Sequence, residues 1–425
     1  MFKENILSEL RQRGKNDLRA IIPKVDEILT TVKLKGDQAL LTYTKKFDAI
    51  DLTLDELCVH QSEIAAAYQK VTNKQLAALK LAAKNITQFH KKQKQKRWRA
   101  SFGEGITVGQ VIRPLTSVGV YAPGGTAVYP SSILMCAIPA KVAGVKEIIV
   151  CTPPQEKEKL NPLLLVAADI SGVTAIYRVG GAQAIAAMAY GTKTIPKVDK
   201  ITGPGNIFVT TAKILVNRET AIDLPAGPSE ILVIADGSAN PRYLASDLLA
   251  QAEHDPNASA ILLITSKEIA SKVMVEINKQ LLTLDRKAII KDSLEAQGFI
   301  VLVESLEEAV ELSNMIAPEH LSIQIKNPAK ILDQITNAGA IFLGEYSPVA
   351  FGDYTSGLNH VLPTAGFART YSGLTTRDFY KTINFIQCNT TGFQQLRSPT
   401  EILAQMEGLD GHARSVSIRS EGENI

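Results

Sequence analysis

The 425 residues are 45% hydrophobic and 21% charged, ordinary for a folded soluble protein, and the length exceeds what one growing core supports, so two or more domains are expected. Against 43 acidic side chains stand 46 basic ones, and a net charge of +3 gives no electrostatic footing for nucleic acid or a membrane surface as partner. No apolar run approaches the ~20 residues of a membrane helix, and the N-terminus lacks a basic head followed by an apolar signal core. Cys58, Cys136, Cys151 and Cys388 form neither a CxxC pair nor a disulfide framework, so a protein of the reducing cytoplasm is expected.

The first hundred residues read as helical. Ile64, Ala67, Tyr68 and Val71, then Leu79, Ala82, Ala83 and Ile86, recur at helical spacing in one helix that runs into the basic stretch 90–97. That stretch reads as a solvated helix end, where cations complement the dipole, in preference to an anion site. From Ile106 the texture changes to β-branched runs alternating with helical segments. Strands are expected at Ser117–Tyr121, Glu147–Cys151 and Thr174–Tyr177, with helices at Ser131–Ala143, Asn161–Ile170 and Gln183–Ala189. Such βαβ alternation implies a buried parallel sheet covered by helices. It then restarts: strands at Glu230–Ile234 and Ala260–Ile264 flank a helix at Arg242–Glu253, and strands at Gly298–Val303 and Ala340–Leu343 bracket further helices. Two α/β modules in series follow, although their residue-level similarity is too weak to establish a duplication. The last fifty residues, with a helix at Ser398–Met406, form a separate tail.

Four of the six histidines sit in compact polar motifs; His60 and His90 lie in helical or linker texture, where solvent-facing positions are expected. In Gln251-Ala252-Glu253-His254-Asp255, the amide and the imidazole share one helix face and could hold one metal, with Pro256 ending the helix. Taken alone, this motif is better explained as a polar helix terminus. Pro318-Glu319-His320 places acid and base groups side by side between a helix and a strand, a pairing suited to proton transfer, and an exposed turn explains it equally well. The loop 351–364 carries Asp353 and His360 as potential ligands, against the alternative of a turn-rich loop with a helix cap. Glu407 and His412 add a carboxylate and an imidazole in the tail. Gln251, His254, Asp353 and His412 make a four-ligand N/O set that suits Zn²⁺ and would also accept Mn²⁺ or Co²⁺. No GxGxxG follows a strand. Instead Tyr121-Ala122-Pro123-Gly124-Gly125, Gly180-Gly181-Ala182-Gln183 and Gly203-Pro204-Gly205-Asn206 each follow a strand-like run and precede a helix. One such turn is weak evidence; three in consecutive βα units would line the carboxyl edge of a sheet, where dinucleotides bind.

The ordered set YAPGGTA, GGAQAIAA, GPGN, LPAGPSE, QAEHD, APEHL, FGDYTSGLNHVLPT and EGLDGHARS resembles the histidinol dehydrogenase family over almost the whole chain. The resemblance implies oxidation of L-histidinol through L-histidinaldehyde to L-histidine with two NAD⁺, the closing step of histidine biosynthesis. It implies one zinc per subunit on Gln251, His254, Asp353 and His412, an acid–base pair of Glu319 and His320, and NAD contacts from Tyr121, Gln183 and Asn206. Ser229, His320, His360 and Glu407 would contact the substrate, whose nitrogens also approach the metal and its ligands. It also implies a homodimer in which the C-terminal tail brings Glu407 and His412 to the partner's site. The fold it implies is α/β: two Rossmann-like parallel-sheet modules with a helical N-terminal segment (1–20) and a small C-terminal tail domain (374–425). Residues 21–120 and 229–373 would form the metal and substrate module, and 121–228 the NAD module. No cysteine lies in a catalytic motif, so the aldehyde-to-acid step is expected to proceed without a thiol nucleophile. A zinc hydrolase and a non-catalytic nucleotide-binding module are the competing readings; the first leaves the three glycine turns without a purpose.

Overall fold

The computed structural model describes residues 18–124, 128–155, 160–224 and 227–420. Most of the expected segment 1–20 and Gly125 of the first glycine turn lie outside them. The chain divides into a larger unit, residues 1–93 and 115–379, and a smaller one, residues 94–114 and 380–425.

Helices at Ile22–Lys35, Asp37–Asp48, Gln61–Tyr68 and Asn73–Lys92 open the larger unit. The last two correspond to the single helix expected from periodicity. They are separate because Thr72 starts a new one: its side chain accepts from the Gln75 N–H, and the Gln75 side chain accepts from the Thr72 N–H, a reciprocal capping box. Lys91 and Lys92 at the end of this helix are exposed, but His90 is fully buried, contrary to expectation. Its Nδ1 faces Gln93 Oε1 at 2.7 Å, and Asn359 donates to its Nε2 at 3.2 Å.

In the smaller unit β1 (Trp98–Ser101) pairs antiparallel with β2 (Ile106–Pro114). The first sheet of the larger unit contains β3 (Ser117–Tyr121), β4 (Glu147–Thr152), β5 (Ala175–Arg178), β6 (Lys200–Thr202) and β7 (Ala221–Ile222), all parallel, in the order β5-β4-β3-β6-β7. The second contains β8 (Glu230–Ala235), β9 (Ser259–Ile264), β10 (Gly298–Leu302), β11 (His320–Gln324) and β12 (Ala340–Leu343), also parallel, in the order β10-β9-β8-β11-β12. Counted from its own first strand, each sheet follows the same doubly wound order, so each has a switch point between its first and fourth strands: β3/β6 and β8/β11. The expected α/β class with two parallel-sheet modules is what the chain forms. The N-terminal helices cover the first sheet, not the second. Val25, Leu29 and Leu40 join Ala184 and Ile185 in one apolar cluster, and Ile86 joins Ile133 and Val118 in another.

Two faces of the second sheet are buried differently. Ile231, Val233, Leu262 and Phe342 pack with Leu244 and Leu248 of the helix Pro241–Ala252 and with Val349 of the helix Val349–Tyr354. Leu232, Ile234, Leu321 and Ile323 pack with the helix Leu306–Ile316. Because side chains alternate along a strand, His320 of β11 must point to the first of these faces, under the helices that carry Gln251 and Asp353.

Residues beyond 379 do not form a tail by themselves. The last strand, β13 (Tyr380–Cys388), pairs antiparallel with β2 along its whole length, so residues 98–114 supply two of the three strands of the smaller unit. Helices at Thr390–Met406 and Asp410–Ser417 complete it. No helix among the described residues is long and apolar enough to cross a membrane.

Candidate active site

At the carboxyl edge of the first sheet, glycine turns follow β3, β5 and β6. They are not three consecutive units, since β4 lies between the first two and contributes Pro153. Close approach explains the glycines: a Cβ on Gly180 would lie 2.5 Å from Pro153 Cβ, and one on Gly203 (φ +117°) 2.1 Å from the Tyr121 carbonyl oxygen. Tyr121, the last residue of β3, is buried and its hydroxyl accepts from the Gly181 N–H at 3.0 Å. Gln183 is buried in the first turn of the helix Gly181–Tyr190. Asn206, exposed, caps the helix Ile207–Val216 by accepting from the Phe208 and Val209 N–H groups. Lys213 donates to the Gly203 carbonyl at 2.9 Å and pairs with Asp223, whose other oxygen accepts from the Gly203 N–H at 2.8 Å. A buried ion pair thus braces the third turn from below.

The second cluster lies at the opposite, amino edge of the second sheet. The helix Leu306–Ile316 ends at Ala317, which adopts φ +53°, a left-handed conformation rare for a residue with a Cβ. Pro318 and Glu319 follow, and β11 begins at His320, beside the start of β8. There Glu230, missed as a site residue in the sequence, brackets the pair. Its N–H donates to Glu319 Oε2 at 2.8 Å, its Oε1 accepts from the Glu319 N–H at 3.1 Å, and its carbonyl lies 3.0 Å from His320 Nδ1. A carbonyl can only accept, so Nδ1 of His320 carries the proton. When the imidazole is neutral it presents Nε2 as a lone pair, and that atom is buried without a hydrogen-bond partner. The only hint of Glu230 in the sequence is a carboxylate opening an otherwise apolar strand.

Charges gather around this imidazole. Asp353 Oδ1 is 3.7 Å from His320 Nε2, and Glu319 Oε2 is 3.5 Å from Nδ1. Burial pushes the Glu319 carboxyl up to about 8, against the lowering influence of His320. For His320 burial acts downward, but the Glu319 and Asp353 carboxylates outweigh it and hold the imidazole above its usual range. Burial raises Asp353, yet His320, His360 and His254 together keep it below the usual carboxylate range. Burial lowers His360, which therefore stays neutral, with its Nδ1 3.0 Å from the Asp353 carbonyl.

Gln251 ends the helix Pro241–Ala252 buried, and its Nε2 lies 3.3 Å from Nδ1 of the exposed His254. Ser229, half-buried, precedes β8 at the same edge. Among the described residues, no three of His, Cys, Asp and Glu converge closely enough to hold a metal ion. Glu407 and His412 belong to the smaller unit, where both are exposed. What joins the two edges is the helix Pro130–Ala143, which follows the first glycine turn: Ser132 in its first turn lies 3.5 Å from His360 Nε2, and Asn359 donates to the Met135 carbonyl at 2.7 Å. The carboxyl edge of one sheet and the amino edge of the other therefore open onto shared ground.

A family model described as histidinol dehydrogenase matches residues 11–420. The chain is 50% identical over 422 residues to the histidinol dehydrogenase of Listeria innocua, covering 99% of this chain and 98% of that one. To the enzyme of Caldanaerobacter subterraneus it is 51% identical over 414 residues, covering 97% and 96%. The crystal structure of histidinol dehydrogenase from Elizabethkingia anophelis superposes with a TM-score of 0.93 at 42% identity, over 99% of this chain and 96% of that one. On this footing the chain is an oxidoreductase that belongs to the histidinol dehydrogenase family.

Proposed function

We propose that this chain oxidises L-histidinol through L-histidinaldehyde to L-histidine with two NAD⁺, as the last step of histidine biosynthesis in the cytoplasm. The observation that carries the mechanism is the buried, unpartnered Nε2 of His320, with Nδ1 pinned to the Glu230 carbonyl. Such an atom is a general base prepared for the alcohol proton. Glu319 then takes a proton from water as it adds to the aldehyde, and the hydrate is oxidised in the second step. Ser229, His360 and Glu407 position the substrate with His320. NAD⁺ supplies the hydride acceptor, and Tyr121, Gln183 and Asn206 at the first sheet's carboxyl edge would contact it. A thiol route has no support: Cys136 and Cys151 are fully buried, and burial pushes the Cys136 thiol up to about 12 and Cys151 higher still.

Zinc fits the donors present. Gln251, His254 and Asp353 offer an amide, an imidazole and a carboxylate held ionised by the surrounding histidines, and His412 would complete the four. When bound it supplies an anchor for the substrate's nitrogens. We read His412 and Glu407 as gifts of a second copy in a homodimer, supported by the apolar surface of the smaller unit, where Ile386, Leu403 and Met406 are 62%, 58% and 77% exposed. Mixing inactive His320→Asn and His412→Asn subunits is then expected to restore activity in the heterodimers; no recovery after confirmed subunit exchange would place both residues in one chain's site.

NADH formation at 340 nm from zinc-loaded protein with limiting L-histidinol tests the reaction itself. About two NADH per histidinol are expected for alcohol-to-acid oxidation. One would mean release of the aldehyde, and none would remove the substrate assignment.

A further inference from the structure

The face of β11 that carries His320 is polar throughout: His320, Ser322 and Gln324 are all buried beneath the helix Pro241–Ala252, while Leu321 and Ile323 on the other face join the apolar core. A strand buried on both faces of a parallel sheet is ordinarily apolar. Catalysis accounts for His320 but not for the other two. Gln324 donates to Asp247 Oδ2 at 2.6 Å and to Ser322 Oγ at 3.2 Å. Asp247 stands four residues before Gln251 on the same helix face, and His254 follows two residues beyond the helix end. One part-buried hydrogen bond therefore ties the helix that carries Gln251 and leads into His254 to the strand bearing the base.

We infer that Asp247 and Gln324 are positioning residues that lock this helix in register with β11, and so set how firmly Gln251 and His254 hold a cation beside His320. The inference rests on the reading of Gln251 and His254 as zinc ligands. Stability alone is a poor account of the pair. Burial pushes the Asp247 carboxyl up to about 6, and Gln324 Oε1 is buried without a partner, so both groups are costly where leucines would pack. An apolar contact tolerates sliding of helix on strand. A directional bond between the half-buried Asp247 and the buried Gln324 allows one register, which a ligand set needs.

The test compares zinc-loaded wild type with Asp247→Leu, with Gln324→Met, which keeps the volume and removes the bond, and with Asp247→Asn, whose carbonyl can still accept. Zinc release to an excess of chromogenic chelator is followed alongside KM for histidinol and for NAD⁺. Both bond-breaking variants are expected to release zinc on the order of tenfold faster, the low end for groups that orient ligands. KM for histidinol should rise, KM for NAD⁺ should stay put, and Asp247→Asn should behave as wild type. Should Asp247→Leu not fold, Gln324→Met and Asp247→Asn carry the comparison. Variants that melt earlier yet keep zinc as firmly as wild type would show a merely structural pair and overturn the inference. A wild type that takes up no zinc would overturn the ligand reading, and the inference with it.

Discussion

His320→Asn is expected to lower kcat by on the order of 10²–10⁴ while leaving NAD⁺ affinity unchanged. Asparagine can still donate to the Glu230 carbonyl that now receives the imidazole Nδ1–H at 3.0 Å, so the start of β11 keeps its anchor. What disappears is the imidazole Nε2, buried without a hydrogen-bond partner and 3.7 Å from Asp353 Oδ1. The glycine turns stand on the other sheet and keep their own braces, Tyr121 to Gly181 and Lys213 to Gly203. The pH profile adds a second readout. Burial acts to lower His320, but the carboxylates beside it prevail and raise it to about 9, so a proton stays on Nε2 through the neutral range and the base is freed as pH rises toward that value. The wild-type rate should therefore fall on the acid side, and the slow asparagine variant should lack that limb. A variant within about tenfold of wild type would remove His320 from proton transfer.

The strands were legible where apolar runs meet glycine or a change of texture: β3 and β12 span the residues expected, and β8 differs by one. One boundary was misplaced. The helix expected at Ser398–Met406 begins eight residues earlier: Pro399 lies inside the helix Thr390–Met406, which Asn389 caps by accepting from the Gly392 N–H. Tertiary partners were not legible. The amphipathic stripes of the N-terminal helices show that they are buried, not which sheet they cover. His90 looked like part of a solvated lysine run because its partner Asn359 is 269 residues away. The Gln251–His254 and Glu319–His320 motifs were readable as chemistry, since local spacing carries them. Their meeting with Asp353 at an amino edge follows from two helices covering the same face of β11. The usual expectation of ligands at a carboxyl edge points to the glycine turns of the first sheet, whereas the polar cluster of the second lies at its amino edge.

Glu319→Gln should separate the two oxidations. The amide oxygen can take over the Glu230 N–H that Glu319 Oε2 now accepts at 2.8 Å, so the loop entering β11 is held, while the carboxylate proposed to receive water's proton is gone. His320 is untouched, and the alcohol step should persist. Histidinol would then yield about one NADH instead of about two, with aldehyde trapped by added semicarbazide. The wild-type second step should also depend on pH in a defined direction. Burial lifts the Glu319 carboxyl to about 8, so at neutral pH most of it is protonated, and its action as a base strengthens as pH rises through that value. Stability runs the other way. A carboxyl that binds its proton more tightly folded than unfolded stabilises the fold below its ordinary value near 4.5, and this is lost as pH climbs through about 8. The glutamine variant, with nothing to ionise, should therefore resist alkaline unfolding better than wild type while losing the second oxidation. If it instead turned over aldehyde at the wild-type rate, hydration would need no help from Glu319, and its burial beside Glu230 would be a matter of architecture alone.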